Sequence, residues 1–138
     1  MLRHPLVRSA WLALGLLIAV VSLAPADEPR FFEQRIYTAH EGKFDALQSR
    51  FRDHTCRLFE KHGMELIGFW VPTDEERSKD TLIYILAYPS REAREASWKA
   101  FLDDPEWKQV YEASHADGPL VKKVESVYML GTDYSAIR

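Results

Sequence analysis

The chain has 138 residues, of which 46% are hydrophobic and 28% are charged, and its net charge at pH 7 is −3. This length allows one domain of modest size, and an acidic chain without a basic stripe argues against nucleic acid as a partner. The single cysteine, Cys56, excludes an intramolecular disulfide. The sequence has no HExxH, HxH or paired CxxC pattern, no glycine-rich phosphate loop and no GxSxG motif. We therefore predict no metal site and no cofactor.

The N-terminal residues predict an export signal. Its basic beginning contains Arg3, His4 and Arg8. An apolar run, 10–24, follows, and it is shorter than the roughly 20 residues that a membrane-spanning helix needs. Small residues precede a predicted cleavage site after Ala26, which makes 1–26 a signal peptide and 27–138 the domain. We expect a periplasmic or secreted protein that meets the membrane only during export; an uncleaved N-terminal anchor is the alternative.

The first half of the domain predicts a strand, a helix and a second strand. Residues 31–38 are predicted to form a strand, with Phe32, Gln34 and Ile36 on one face and Glu33, Arg35 and Tyr37 on the other. Between 43 and 62, apolar residues recur at intervals of three, four and seven, which indicates an amphipathic helix. Gly63 is predicted to end this helix in the left-handed conformation. A second strand, 65–71, and a charged loop follow.

The second half predicts a strand, two consecutive helices and a last strand. Residues 81–88 are apolar on both alternating faces, so both faces of this strand should be buried. Ser90 is the predicted N-cap of the next helix. Asp104 and the proline that follows restart the helical pattern, because Asp caps helices and Pro is favoured at their first position. The last strand is predicted at 120–130.

The resulting order, βαββαβ, predicts an α+β, ferredoxin-like fold. In this fold a four-stranded antiparallel sheet carries its helices on one face. The other face also has apolar side chains, and leaving them in water would cost several kcal/mol of stability. We therefore predict a homodimer in which two sheets meet face to face as a dimeric α/β barrel.

Three colinear segments carry a family resemblance. They are FRDHTCRLFEKHGMELIGFW, LIYILAYPSREAREASWKAFLDDPEW and ADGPLVKKVESVYMLGTDYS. Together they resemble the NIPSNAP family, and the resemblance extends over 31–135. It implies the dimeric α/β-barrel fold. It implies no particular activity, because the family's members lack an agreed biochemical function and have been linked mainly to vesicle and mitochondrial biology in eukaryotes. Related dimeric α/β-barrel families include small monooxygenases, isomerases and haem-handling proteins, which is an analogy of fold.

His54 is the candidate general acid or base. It follows Phe51 by three residues and precedes Leu58 by four, so we expect it on the sheet-facing stripe of the first helix. An imidazole there could exchange a proton with a ligand held between helix and sheet. The alternative is a core or interface histidine with a satisfied hydrogen bond.

Aromatic residues supply the candidate ligand-binding side chains, which are Tyr37, Trp70, Tyr84 and Trp98. They lie on strands or helix faces that should point inward, where they could line a pocket for a flat or apolar molecule. Packing in the core and at the dimer interface is the alternative interpretation, since aromatic side chains bury large areas.

Charged residues near these aromatics have simpler interpretations. Glu33 and Arg35 share a strand face with Tyr37, so we expect them to line the barrel or to pair across the dimer. On the helix predicted after Ser90, we expect Arg91, Arg94 and Glu95 to lie on an ordinary solvent-exposed face.

Three functions remain open from the sequence. The first is a homodimeric small-ligand-binding or accessory module, whose ligand would be a small apolar or aromatic molecule. The second is a cofactor-independent monooxygenase or isomerase in which His54 and a pocket Tyr or Trp act on such a molecule. The third is a protein-interaction module. The first two predict an enclosed cavity, whereas the third predicts an exposed apolar patch.

Overall fold

The computed structural model describes residues 29–138, so the predicted signal peptide, 1–26, lies outside the described residues. The elements, in chain order, are β1 (Phe31–Ala39), α1 (Phe44–Arg50), a π-helical segment (Phe51–Thr55), α2 (Cys56–Lys61), β2 (Glu65–Trp70), a 3-10 turn (Arg77–Lys79), β3 (Thr81–Tyr88), α3 (Arg91–Asp103), α4 (Pro105–Ser114) and β4 (Val121–Leu130). This order confirms the predicted βαββαβ arrangement, with each helical half made of more than one segment.

The four strands form one antiparallel sheet in the order β2-β3-β1-β4. The first and third strands of the chain are therefore central, and β2 and β4 lie at the edges. Glu33 of β1 is opposite Leu86 of β3, and Arg35 is opposite Tyr84. Because residues directly opposite each other share a face, these four side chains point to the same side of the sheet. The ferredoxin-like prediction is confirmed.

The helices cover only this side of the sheet. The core between the layers contains Leu82, Tyr84 and Leu86 of β3, packed with Phe59 of α2 and Phe101 of α3. The opposite side has no helix among the described elements. Its apolar side chains include Phe32 of β1, Ile83 and Ile85 of β3, Trp70 of β2 and Val127 of β4. We refer to this surface as the open face.

The helix ends are formed by the residues that the sequence predicts. Ser90 caps α3, and its hydroxyl oxygen accepts a hydrogen bond from the backbone N–H of Ala93 at 3.1 Å. Asp104 caps α4 by accepting from the backbone N–H of Glu106 at 2.7 Å. Hydrogen bonds from Lys61 and then His62 hold the pKa of Asp104 well below its ordinary range. The Asp104 cap therefore also attaches the end of α2 to the junction between α3 and α4.

Among residues 29–138, no helix is long and apolar enough to cross a membrane.

The turn after α2 depends on a left-handed glycine. Gly63 has a φ of +78°, its N–H donates to the carbonyl of Glu60, and the N–H of Met64 donates to the carbonyl of Phe59. These two bonds form a Schellman motif, which satisfies carbonyl groups at the helix end. The side chain of Met64 is buried in the core, so the turn also fixes where β2 begins.

We expect Gly63→Ala to lower the free energy of unfolding by about 1 kcal/mol, because a Cβ disfavours a positive φ. Gly63→Asn is the matched variant, and it should lose less because Asn tolerates this conformation. Urea unfolding followed by circular dichroism would measure both. Equal stability of the alanine variant and the wild type would show that the turn does not need a glycine.

Candidate functional site

A cleft of about 1030 Å³ opens on the helix side of the sheet, beside the core. Its lining includes Tyr37 of β1, Phe51 of the π-helical segment, Trp98 of α3, Trp107 of α4 and Val124 of β4. The cleft opens where the helices leave the edge strand β4 largely uncovered. Val124, on the helix side of β4, is accordingly 44% exposed.

The wall of the cleft is a continuous group of aromatic rings. Phe59 contacts Trp98 edge-on with 5.5 Å between ring centroids, and Phe101 lies 4.4 Å from Trp107. On the sheet side, Tyr37 meets Tyr84 at 5.3 Å and 70°. Such edge and tilted contacts are the favourable arrangements for aromatic pairs. The wall is therefore rigid, apolar and formed before any ligand binds.

Glu33 is the centre of a buried polar network at one end of the cleft. Its carboxylate is fully buried and accepts hydrogen bonds from Arg35 at 2.7 Å and from Arg94 at 2.9 Å with both of its oxygens. The indole N–H of Trp98 and the hydroxyl of Tyr88 donate to the same carboxylate at 3.0 and 3.3 Å. The network joins β1, β3 and α3 through one acidic side chain.

Burial alone would raise the pKa of Glu33, but hydrogen bonds and charge attraction from Arg94 and Arg35 outweigh it and hold the pKa below its ordinary value. Arg35 also lies over the Trp98 ring, with its guanidinium carbon 4.4 Å from the ring centroid. Two contacts therefore fix the indole: its N–H donates to Glu33, and its ring face packs against the guanidinium of Arg35. Its remaining edge is available to the cleft.

Arg50 is a third arginine in the lining of the cleft, after Arg35 and Arg94. The residue is 6% exposed, and its Nη1 donates to the hydroxyl of Ser114 at 3.2 Å. The guanidinium carbon lies 5.3 Å from the Trp107 ring and 5.9 Å from that of Tyr111. Burial lowers the pKa of Arg50. Its Nε is buried without a hydrogen-bond partner among the described residues.

The structure brings two of the predicted site residues together at the cleft. Tyr37 and Trp98 both line it. Tyr84 lies behind Tyr37 in the core, fully buried, and its hydroxyl has no hydrogen-bond partner within residues 29–138. Burial raises the pKa of this phenol. Trp70 lies elsewhere, since it is 50% exposed on the open face, where its indole lies against Gly68.

The prediction that His54 lies on the sheet-facing stripe is wrong, because His54 is exposed. The reason is the π-helical segment, in which one turn takes more residues than an α-helical turn. After Phe51 the next inward side chain is therefore Thr55, which is 1% exposed and donates its hydroxyl hydrogen to the carbonyl of Arg50 at 3.2 Å. An α-helical period does not anticipate this shift.

The expectations for the charged residues also need correction. Glu33 and Arg35 pair within one subunit, at 2.7 Å, and face the helices. The side chain of Arg94 is 13% exposed and pairs with Glu33, so it does not belong to a solvated face. The spacing could have predicted this position, because Arg94 precedes the inward-facing Trp98 by four residues and residues four apart share a helix face. Arg50 likewise adjoins Phe51 on the apolar stripe of the first helix.

In the part of the chain from 29 to 138, no three His, Cys, Asp or Glu side chains come together as metal ligands would. The polar groups at the cleft include arginine, lysine, indole and phenol groups. They can hold a molecule by stacking and by donated hydrogen bonds.

The fold and the cleft define a class of single-domain, ferredoxin-like α+β proteins, and solved structures agree with it. One neighbour is a NIPSNAP family protein with unknown function from Agrobacterium tumefaciens, with a TM-score of 0.69 and 21% identity over 82% of this chain and 97% of its own. Another is a NIPSNAP-like domain protein from Burkholderia xenovorans, with a TM-score of 0.67 and 18% identity over 78% and 90% of the two chains. SnoaB, a cofactor-independent oxygenase from Streptomyces nogalater, has a TM-score of 0.50 and 15% identity over 79% and 98%.

The NIPSNAP family model matches residues 32–136, which is most of the chain. This protein belongs to the NIPSNAP family, as the resemblance of its three segments implied. No curated protein matches the chain.

We expect Glu33→Gln to lower the free energy of unfolding at pH 7 by about 3 kcal/mol, because it leaves two buried guanidinium groups without their counter-charge. Glu60→Gln, at an exposed position on α2, is the control and should have little effect. Chemical denaturation monitored by tryptophan fluorescence would measure the difference.

The difference in stability between the wild type and Glu33→Gln should depend on pH. The folded-state pKa of Glu33 is lowered. The ionised carboxylate therefore stabilises the fold fully at pH values above the ordinary pKa of a glutamate, and this stabilisation is lost as the pH falls through the folded-state pKa. The stability gap between wild type and Glu33→Gln should therefore narrow in acid. A gap that stays constant or widens in acid would contradict this assignment.

Proposed function

We propose that this protein is a homodimeric small-ligand-binding module whose ligand is an apolar or aromatic molecule held in the cleft. The observation that carries the proposal is the cleft itself, about 1030 Å³ in volume and walled by aromatic rings that already pack against one another. Small-molecule sites are usually concave, largely apolar and formed in advance, with a few polar groups that set orientation. Arg35, Arg50 and the Trp98 indole provide such groups.

The open face supports the dimer part of the proposal. Trp70 and Val127 on this face are 50% and 47% exposed, and Ile83 and Ile85 are only half-buried. An apolar surface spread over four strands is costly in water, and a second copy of the same sheet would cover it. The dimer would use the side of the sheet opposite the cleft, so both clefts would remain open to solvent.

Binding is favoured over turnover by the position of His54. A cofactor-independent oxygenase or isomerase needs a group that takes a proton from its substrate. His54, the sequence candidate for this role, is exposed rather than directed inward. His115 lines the cleft, and its Nδ1 lies 2.7 Å from the carbonyl oxygen of Tyr111, so Nδ1 is the donor and only Nε2 could act as a base. The likeness to SnoaB concerns the fold.

The proposal also includes export, because the basic and apolar N-terminal pattern is that of a signal peptide. The domain would then begin at Asp27 and act in the periplasm or outside the cell.

Native mass spectrometry of protein purified from the exported fraction should show a dimer of chains that begin at Asp27. We expect Ile85→Lys to convert it to a folded monomer, because the lysine would place a charge in the middle of the open face. Leu102→Lys, on the exposed side of α3 in the opposite layer, is the control and should remain dimeric. A wild-type monomer at micromolar concentration would refute the proposed dimer.

Filling the cleft should abolish ligand binding. We expect Val124→Trp to weaken binding of 2-naphthamide, a neutral aromatic probe, by at least about tenfold, because the indole would occupy the cleft beside β4. Val71→Trp, at an exposed position outside the cleft lining, is the matched control and should bind normally. Isothermal titration calorimetry would measure both affinities. Equal binding by the two variants would place the ligand somewhere else.

A further inference from the structure

The charge of Arg50 has no partner in the structure. The residue is 6% exposed, and none of the ion pairs among residues 29–138 includes it. Its hydrogen bond to Ser114 uses Nη1 and a neutral hydroxyl, while Nε is buried with no acceptor. Burying a charged group without compensation is costly, so such a group calls for an explanation.

The two other buried arginines at the cleft differ in this respect. Arg35 and Arg94 are both paired with Glu33, at 2.7 and 2.9 Å. One carboxylate thus forms ion pairs with two guanidinium groups, and no acidic side chain in the described chain pairs with Arg50. The core of the cleft therefore carries an excess of positive charge.

The rim of the cleft adds to this excess. Four lysines line the rim against three Asp and Glu, and with Arg35, Arg50 and Arg94 the whole lining has seven Lys and Arg, although the whole chain has a net charge of −3. Basic residues are thus concentrated at this concave surface of an acidic protein, where low-dielectric walls strengthen their field. This distribution favours a ligand that carries negative charge.

The guanidinium of Arg50 is held in one orientation. It lies beside the rings of Trp107 and Tyr111, and Ser114 accepts from Nη1. The π-helical segment begins at the next residue, and Thr55 donates to the Arg50 carbonyl. Nε and Nη2 lie on the same edge of the planar guanidinium, so together they match the two oxygens of one carboxylate.

We propose that Arg50 is the anchor for the carboxylate of an aromatic or apolar organic acid, whose ring or chain lies against the aromatic wall of the cleft. This inference rests on the proposed binding function and adds the chemical class of the ligand. The proposed dimer uses the opposite side of the sheet, so a carboxylate from the second copy would not reach Arg50. A small molecule entering the cleft would supply the missing acceptor for the buried donor.

The test compares two probes of the same shape, 2-naphthoate and 2-naphthamide, at pH 7 by isothermal titration calorimetry. We expect the wild type to bind the carboxylate at least tenfold more tightly than the amide. Arg50→Gln should weaken carboxylate binding at least tenfold more than amide binding, so that the preference is lost. Arg52→Gln makes the same substitution two residues away at an exposed position, and it should retain the preference.

The outcomes separate this inference from the function on which it rests. Amide binding without a preference for the carboxylate, or a preference that survives in Arg50→Gln, would overturn the role of Arg50 and leave the binding function intact. Failure of both probes to bind the wild type would overturn both. The melting temperature of ligand-free Arg50→Gln supplies a further check, because removal of an uncompensated buried charge should leave it unchanged or higher. A clear decrease would make Arg50 a structural residue.

Discussion

The structure depends on the compensation of one buried negative charge. The carboxylate of Glu33 lies between the sheet and α3, out of contact with water. A buried carboxylate remains ionised only if charged and hydrogen-bonding groups surround it, and Arg35, Arg94 and Trp98 meet this requirement. Because two of these three residues lie on α3, the requirement sets where that helix crosses the sheet. The position of α3 in turn determines which strand remains uncovered and where the cleft opens.

The element order and the helix caps could be predicted because each depends on local sequence, and the antiparallel sheet could be predicted from the element order. Ser90, Asp104 and Gly63 act within a few residues of their own positions, and their roles are set by short-range hydrogen bonds. The family could be recognised for a similar reason, since its segments are continuous stretches of sequence. These features required no knowledge of how distant parts of the chain pack.

The site was predicted less well because it depends on packing between elements. Tyr37 and Trp98 were placed correctly, since each lies on an element whose inward face is evident from its neighbours. Trp70 lies on the open face and not at the cleft, because an apolar side chain on a strand does not reveal which of two apolar faces it joins. His54 was misplaced because a change of helical period is a backbone event that the spacing of apolar residues does not record. Arg94 was misread because its burial depends on Glu33, which lies 61 residues away in the chain.

The π-helical segment, Phe51–Thr55, also affects how this helix should be compared with those of relatives. A π-helical turn accommodates one residue more than an α-helical turn, so it is equivalent to a single-residue insertion within a helix that otherwise continues unchanged. An ungapped alignment with a relative that lacks the segment would shift every position from Cys56 to Lys61 by one. Inward residues such as Leu58 would then be aligned with outward residues of the relative, so core positions that are equivalent in the two structures would appear to be substituted. A structure-based alignment with a one-residue gap at this point is required before residues of this helix are compared across the family.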